Sequence, residues 1–503
     1  MPPPALAPLF DALVAGGPER VILRGDAGAV NVSAARATMA DLSALLDDAR
    51  VLAVLADNGP AWVLADLTAL ERGVVHLPLP AFFSPGQLSH ALTQSGADRV
   101  LTDQPERIEA LGLAFTRGAT WLGLTLMARA HPAATLPAGT VKICFTSGST
   151  GAPKGACLGA ETLMATAQAL VDTLADVPVH RHLAALPLAL LLENVAGVYA
   201  PLLRGAEIRL PSLARLGWRG MAGFDPAALA GCVAEIRPDS LILVPELLKA
   251  WCQFMAVSGQ RAPDNLVFVA VGGARVDPAL LARARTWGLP AYEGYGLTEC
   301  GSVICLNRPG ADQPGTAGRP LPHVAITLEG DGQVRVDGPV FLGYLGTSDR
   351  HPGSVATGDL GRLDAEGYLR LDGRRDNLIV TAFGRNVAPE WVESALLAQP
   401  EIAQAVVLGE AQAFLGALLV AAPGALAGAL EGVVARANGG LPDYAHVRTW
   451  TAVPPFTLAE GLATGNGRPV RAAIRTRHAE TIAALFRAAP ADFEPPKDMP
   501  HVL

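Results

Sequence analysis

A chain of 503 residues, 50% hydrophobic and 17% charged, holds enough apolar material for more than one packed core. Its formal net charge of -8 at pH 7 opposes nonspecific attraction to nucleic acid and supplies no polybasic patch for an anionic membrane surface. The composition therefore predicts a soluble α/β protein of two or more domains, with neither a nucleic-acid partner nor an integral membrane segment.

The opening Met1-Pro2-Pro3-Pro4 lacks a basic region followed by an apolar stretch, so no secretory signal is read and a cytoplasmic location is expected. Short β-rich runs then recur between helical patterns: Val51 to Leu55, Val74 to Leu79, Arg99 to Thr102, Val141 to Phe145, Leu183 to Leu188, Leu241 to Val244 and Leu266 to Val271. This alternation predicts doubly wound parallel sheets. Asp225-Pro226 and Asp277-Pro278 read as helix starts, each with an acceptor at the N-cap and proline at the first helical position, and Gly288 reads as a stop. The stretch from His182 to Leu203 is apolar enough to suggest a membrane span, but Pro187, Glu193, Asn194 and Pro201 interrupt it, and it reads as a buried strand, loop and helix. From about Thr316 to Asp372 the chain turns to short strands punctuated by glycine, and after Asp376 an independent α+β unit begins. The six cysteines, at 144, 157, 232, 252, 300 and 305, lack metal-ligand spacing and read as packed, reduced thiols. His180 and His182, flanking a strand start, read as surface or capping groups.

Three segments carry chemistry. The first is Thr146-Ser147-Gly148-Ser149-Thr150-Gly151-Ala152-Pro153-Lys154-Gly155, directly after an apolar run. Glycines let backbone N–H groups approach an anion, hydroxyls add donors and the lysine adds a full charge, so the loop suits phosphate oxygens. It is not the nucleotide triphosphatase loop, in which lysine follows glycine and precedes a helix-opening hydroxyl. The second is Tyr292-Glu293-Gly294-Tyr295-Gly296-Leu297-Thr298-Glu299, where an aromatic ring flanked by glycines offers a flat face to a nucleobase and a Thr-Glu pair can bind phosphate with its magnesium ion. The third is Thr357-Gly358-Asp359-Leu360-Gly361 with Gly373-Arg374-Arg375-Asp376, a carboxylate for a ribose diol with an arginine nearby.

In this order and spacing the three segments resemble the signatures of the adenylate-forming superfamily of acyl-CoA synthetases, peptide-synthetase adenylation domains and luciferases. Leu186 to Val195 and Leu378 to Pro389 are most similar to long-chain fatty acyl-CoA synthetases. The resemblance implies a large N-terminal domain of two doubly wound subdomains plus a small β-barrel (1–373), a hinge at 374–377 pivoting on Asp376, and a mobile α+β lid (378–503). It implies that Thr146, Ser147, Gly148, Ser149, Thr150, Gly151 and Lys154 hold ATP phosphates, and that Tyr295 stacks on adenine beside Glu293, Gly273 and Ala274. Thr298 then touches the α-phosphate, Glu299 holds magnesium, and Asp359 with Arg374 binds ribose. Gly272, Gly296, Leu190, Glu193 and Asn194 are implied to line the acyl pocket, Glu193 reading more readily as structural or gating. Arg468, in Gly465-Asn466-Gly467-Arg468, stands where the family has its adenylation lysine. The implied substrates are ATP with Mg2+, a medium or long aliphatic acid, and CoA. Transfer to a carrier-protein phosphopantetheine is the alternative, and a catalytically impaired nucleotide-binding regulator a third reading. An amino-acid substrate is disfavoured: Leu188, Ala189 and Leu190 stand where an aspartate would hold an α-ammonium group.

Overall fold

The structure, a computed structural model, describes residues 3–130, 134–146, 153–219, 223–347, 353–425, 428, 430–464 and 467–487. The chain forms two compact units: Met1–Gly330 with Val334–Thr357 and Leu363–Arg370, and Asp331–Gln333 with Gly358–Arg362 and Leu371–Leu503.

The strand Val51–Leu55 is buried along its whole length, as a central parallel strand covered on both faces must be. It lies between the parallel strands Val75–Pro78 and Arg99–Thr102 in an eight-stranded sheet of the first unit. The far side of Val75–Pro78 carries Thr140–Thr146, then Lys154–Gly159, then the edge strand Gly343–Tyr344. A second, nine-stranded sheet holds Glu207–Leu210, Arg181–Leu183, Ser240–Leu243, Phe268–Val271 and Ala291–Leu297 as successive parallel neighbours. Both sheets are mixed at their edges, where antiparallel strands such as Ser302–Leu306 and Leu124–Ala128 cap the parallel centre. The glycine-punctuated region contributes a four-stranded sheet of Ala325–Leu328, Gln333–Asp337, Ser354–Leu363 and Leu369–Arg374.

The helix starts read from sequence hold. Asp225 accepts from the N–H groups of Ala227 and Ala228 at the head of Pro226–Ile236, and Asp277 accepts from Ala279 N at the head of Pro278–Thr286. Gly288 follows with φ +86°. The apolar stretch from His182 becomes the end of a strand, the helix Leu191–Asn194, a π-helical turn Val195–Tyr199 and the helix Ala200–Arg204. Among the described residues no helix is long and apolar enough to cross a membrane. All six cysteines are buried free thiols, and burial pushes that of Cys144 up to about 12.

The second unit has a three-stranded sheet, Ile402–Leu408, Leu415–Ala421 and Val447–Ala452, with the helices Pro389–Leu397 and Leu430–Asn438 contributing to its core.

Candidate active site

The two described ends of the phosphate-loop segment lie on neighbouring antiparallel strands. Thr140–Thr146 pairs with Lys154–Gly159 so that Thr146 stands opposite Lys154, which pins the two ends of the turn together. Ser147, Gly148, Ser149, Thr150 and Gly151 lie outside the described residues. At the mouth Thr146 is half-buried and the Lys154 side chain is exposed.

The tyrosine motif forms the end of a strand in the other sheet. Ala291–Leu297 runs parallel to Phe268–Val271 up to the pair Val271 and Glu293, then turns to pair antiparallel with Ser302–Leu306. The register shifts between Tyr295 and Gly296, and a Cβ on Gly296 would lie 1.6 Å from the carbonyl oxygen of Ser302, so the bend accepts no side chain there. Tyr295, Thr298 and Glu299 are half-buried, and the last two begin the short 3-10 turn Thr298–Cys300.

Glu299, in the turn after a strand of one sheet, and Lys154, on a strand of the other, meet through one ring. The Tyr344 hydroxyl donates to Glu299 Oε1 at 2.6 Å, and the Lys154 ammonium lies 5.6 Å from the centroid of the same ring. Phe341 N also donates to the Glu299 carbonyl at 2.7 Å. Among the described residues no group of three or more His, Cys, Asp or Glu could cage a metal. The half-buried Glu299 carboxylate is donor chemistry of the kind a hydrated Mg2+ takes, since that ion keeps several waters and binds through one or two carboxylates.

Glu293 faces the segment after Phe268–Val271, where Val276 N donates to its Oε1 at 3.3 Å. Its Oε2 has no hydrogen-bond partner among the described residues, and burial pushes the carboxyl up to about 8. Gly272 is buried, whereas Gly273 and Ala274 are exposed at the strand end. A Cβ on Gly272 would come within 3.3 Å of the Gly294 carbonyl oxygen and 3.8 Å of Leu192 Cδ2. Leu192 therefore borders the Gly272 strand end, and Leu190 and Leu192 pack on the core cluster that contains Trp251.

Two residues expected at the acyl pocket, Glu193 and Asn194, are buried in hydrogen-bonded networks. Glu193 is fully buried, with Oε1 3.2 Å from His182 Nε2 and Oε2 accepting from Leu186 N at 3.0 Å. Burial raises its carboxyl above the ordinary range, against the opposing pull of His182 and the Leu186 N–H. A Cβ on Gly197 would strike Glu193 Oε1 at 2.0 Å, so glycine leaves the space this contact fills. His182 is not a surface group: its Nδ1 lies 2.9 Å from Ser240 Oγ, because Arg181–Leu183 is an interior strand of its sheet. Asn194 belongs to a buried network in which Lys142 Nζ donates to Asp66 Oδ1 at 2.7 Å and Asn194 Oδ1 at 2.7 Å, beside His76 Nδ1 at 2.9 Å. Asn194 Nδ2 and the Tyr199 hydroxyl both donate to Asp66 Oδ2. Burial would raise the Asp66 carboxyl, but the Lys142 and His76 charges outweigh it and hold the group below its ordinary range. Sequence reading passed over these partners, since nothing local marks Lys142, inside an apolar run, as paired with residues 66, 76 and 194. It also passed over Asn58 as a positioning group. Asn58 accepts from Leu188 N at 2.9 Å and donates to the Leu186 carbonyl at 2.8 Å, fixing the loop between the strand Arg181–Leu183 and Leu190.

In the second unit Arg374 Nε donates to Asp359 Oδ1 at 2.8 Å, pairing the two residues assigned to ribose. Asp359 is buried and Arg374 exposed. Asp376 is exposed within the 3-10 turn Arg375–Asn377. Arg468 is exposed on a tight turn, its N–H donating to Thr464 Oγ1 at 3.0 Å and its carbonyl accepting from Thr464 N at 2.8 Å.

Residues 14–346 match the AMP-binding enzyme family and residues 376–490 the AMP-binding enzyme C-terminal domain. The chain belongs to this family. It is 36% identical over 228 residues to the long-chain-fatty-acid–CoA ligase FadD15 of Mycobacterium bovis, a match covering 44% of this chain and 36% of that protein. The chain thus spans just over a third of that relative's length. It is 31% identical to a feruloyl-CoA synthase of Amycolatopsis sp, over 71% of this chain and 75% of the relative. The o-succinylbenzoate CoA synthetase of Bacillus subtilis, solved with AMP, shares the fold at a TM-score of 0.74 and 22% identity, over 94% of this chain and 98% of that one.

Proposed function

We propose that this protein activates a carboxylic acid with ATP and passes the acyl group to the thiol of CoA. In the first half-reaction a carboxylate oxygen attacks the α-phosphorus, the bond to the bridging oxygen breaks and pyrophosphate leaves, giving an acyl-adenylate. In the second, the thiol sulfur attacks the acyl carbonyl, its proton is lost and AMP departs. All the reacting groups are anionic, so the chain's task is to supply positive charge and position rather than a covalent nucleophile. Magnesium, carried by ATP, neutralises phosphate charge.

The meeting of Lys154 and Glu299 around Tyr344 carries the reading. It sets an ammonium group and a metal-competent carboxylate around one ring, and Lys154 is itself part of the segment whose glycines and hydroxyls suit phosphate. Lys154 acts on the departing pyrophosphate, Thr298 on the α-phosphate, Tyr295 on adenine, and Asp359 with Arg374 on ribose. Asp359 and Arg374 already pair with each other, so a ribose diol would enter an existing hydrogen-bonding arrangement.

For the acid we propose a medium or long aliphatic chain, supported by the likeness to FadD15 and by the apolar residues Leu190 and Leu192 near Gly272. An aromatic acid is the competing substrate, favoured by the longer match to feruloyl-CoA synthase. Acid-dependent exchange of labelled pyrophosphate into ATP, run over aliphatic acids of increasing length and over cinnamic acids, decides between them. Exchange with no acid of either set would overturn the functional reading, whereas rates rising only with the cinnamic acids would reassign the substrate. Lys154→Ala should lower exchange by about a hundredfold, the loss typical of one preorganised charge-stabilising group; wild-type exchange in that variant would remove Lys154 from the site.

A further inference from the structure

Tyr344 belongs to none of the three sequence segments, yet its hydroxyl reaches Glu299 and its ring faces Lys154. Gly343–Tyr344 is an edge strand hydrogen-bonded to the returning arm of the hairpin, with Tyr344 opposite Ala156. This pairing sets the ring under the Lys154 side chain and brings its hydroxyl to Glu299 Oε1. The ring is itself fixed by Phe341 at 4.9 Å in an edge-on arrangement, and Phe341 N holds the Glu299 backbone. Leu345 N donates to the Gly155 carbonyl and Leu342 N to that of Cys157, so the segment is anchored on both sides of the tyrosine.

We propose that Tyr344 is a positioning residue for the magnesium ion that enters with ATP. It acts through Glu299. An unconstrained carboxylate rotates about its terminal bond, and each rotamer presents a different oxygen to a ligand. A hydroxyl donating to one oxygen removes that freedom and settles which oxygen is left to the metal, the same service that outer partners perform for carboxylate ligands elsewhere. The ring's face adds a separate effect, attraction for the Lys154 ammonium, which orients the cation toward phosphate whether or not metal is bound. One side chain thereby couples the metal ligand to the phosphate ligand. The inference rests on the ATP-dependent function proposed above.

The two effects separate by substitution. Tyr344→Phe keeps the ring and removes the hydroxyl, while Tyr344→Leu removes both. ATP and AMP binding to the whole chain would be measured by calorimetric titration, with excess EDTA and with millimolar Mg2+. For wild type, Mg2+ should tighten ATP binding; Tyr344→Phe should lose about tenfold of that tightening, the scale of a hydrogen bond to a charged group, and bind ATP in EDTA as wild type does. Tyr344→Leu should weaken ATP in both conditions, and AMP affinity should stay within about twofold in all variants. In a Glu299→Gln background Tyr344→Phe should have no further effect on the Mg2+ increment. A Tyr344→Phe variant that keeps the full increment, or that loses it equally in the Glu299→Gln background, would overturn the proposal while leaving the proposed function standing. Wild-type protein that binds neither nucleotide would overturn both.

Discussion

At residue scale, the departure that matters most is Arg468. A guanidinium is a planar fork that prefers two-point contact, whereas the lysine of the resembling motif is a compact point charge. The Arg468 backbone makes two hydrogen bonds to Thr464, and the side chain's length and shape decide what it reaches. Arg468→Ala should lower acid-dependent pyrophosphate exchange strongly while sparing thioester formation from supplied acyl-adenylate; unchanged exchange would make Arg468 an ordinary solvated arginine. Glu293 yields a second expectation. Burial pushes its carboxyl up from the ordinary 4.5 to about 8 in the folded protein. Between those values the folded chain binds more protons than the unfolded one, so this group's contribution to stability falls as pH rises through the window and levels off above it. Glu293→Gln, which keeps an acceptor for Val276 N, should flatten that part of the stability profile by on the order of a few kcal/mol. Chemical denaturation of both proteins from pH 5 to 9 measures it, and parallel profiles would count against the buried carboxyl as the source.

At the scale of elements, the strand Thr140–Thr146 serves two purposes. Its end opens into the phosphate loop, while Lys142, two residues in, is locked to Asp66, His76 and Asn194. The ammonium also lies 5.4 Å from the Tyr199 ring, which ends the π-helical turn. The network thus ties the loop-bearing strand to the helix Pro60–Arg72 and to the segment that follows Leu190 and Leu192. Removing one member of a buried ion pair costs about 3–5 kcal/mol, because the remaining charge is left desolvated and unpaired. Lys142→Met should therefore destabilise by about that amount, and Lys142→Met with Asp66→Leu should recover part of it. Thermal unfolding of the single and double variants checks this; additive losses would show that the charges are not coupled.

At the scale of the whole molecule, the chain divides into two compact units, with Leu371–Leu503 in the second. Asp376 occupies the short turn Arg375–Asn377, exposed, while its neighbour Arg375 is tied to Gln333 Oε1 at 2.6 Å and Asp331 Oδ2 at 3.0 Å. A pivot must absorb a change of backbone dihedrals between conformations. Asp376→Pro fixes φ and should impair one half-reaction far more than the other, measured as pyrophosphate exchange against thioester formation from supplied acyl-adenylate. Equal losses in both would overturn the pivot proposed at Asp376.

What the sequence by itself determined is what depends on neighbours in the chain. Helix starts at Asp225 and Asp277 are set within three residues by side chains that cap their own backbone, and the short β-rich apolar run at Val51 suits the interior strand it forms. The family's motifs also lie in short contiguous stretches, since a loop that cradles an anion is built from consecutive backbone groups. Tertiary structure alone decided the partners of the charged side chains. Lys142 reads locally as a stray charge in an apolar run, but its partners come from residues 66, 76 and 194, brought together only when strands and helices pack. His182 becomes an interior group because both neighbours of its strand are distant in sequence, and Glu193 and Asn194 turn inward because burying a charge or an amide requires a partner. Tyr344 gains its place in the same way. Register against Ala156, set by strand pairing across nearly two hundred residues, brings one phenol to Glu299 and Lys154, and no spacing along the chain encodes that meeting.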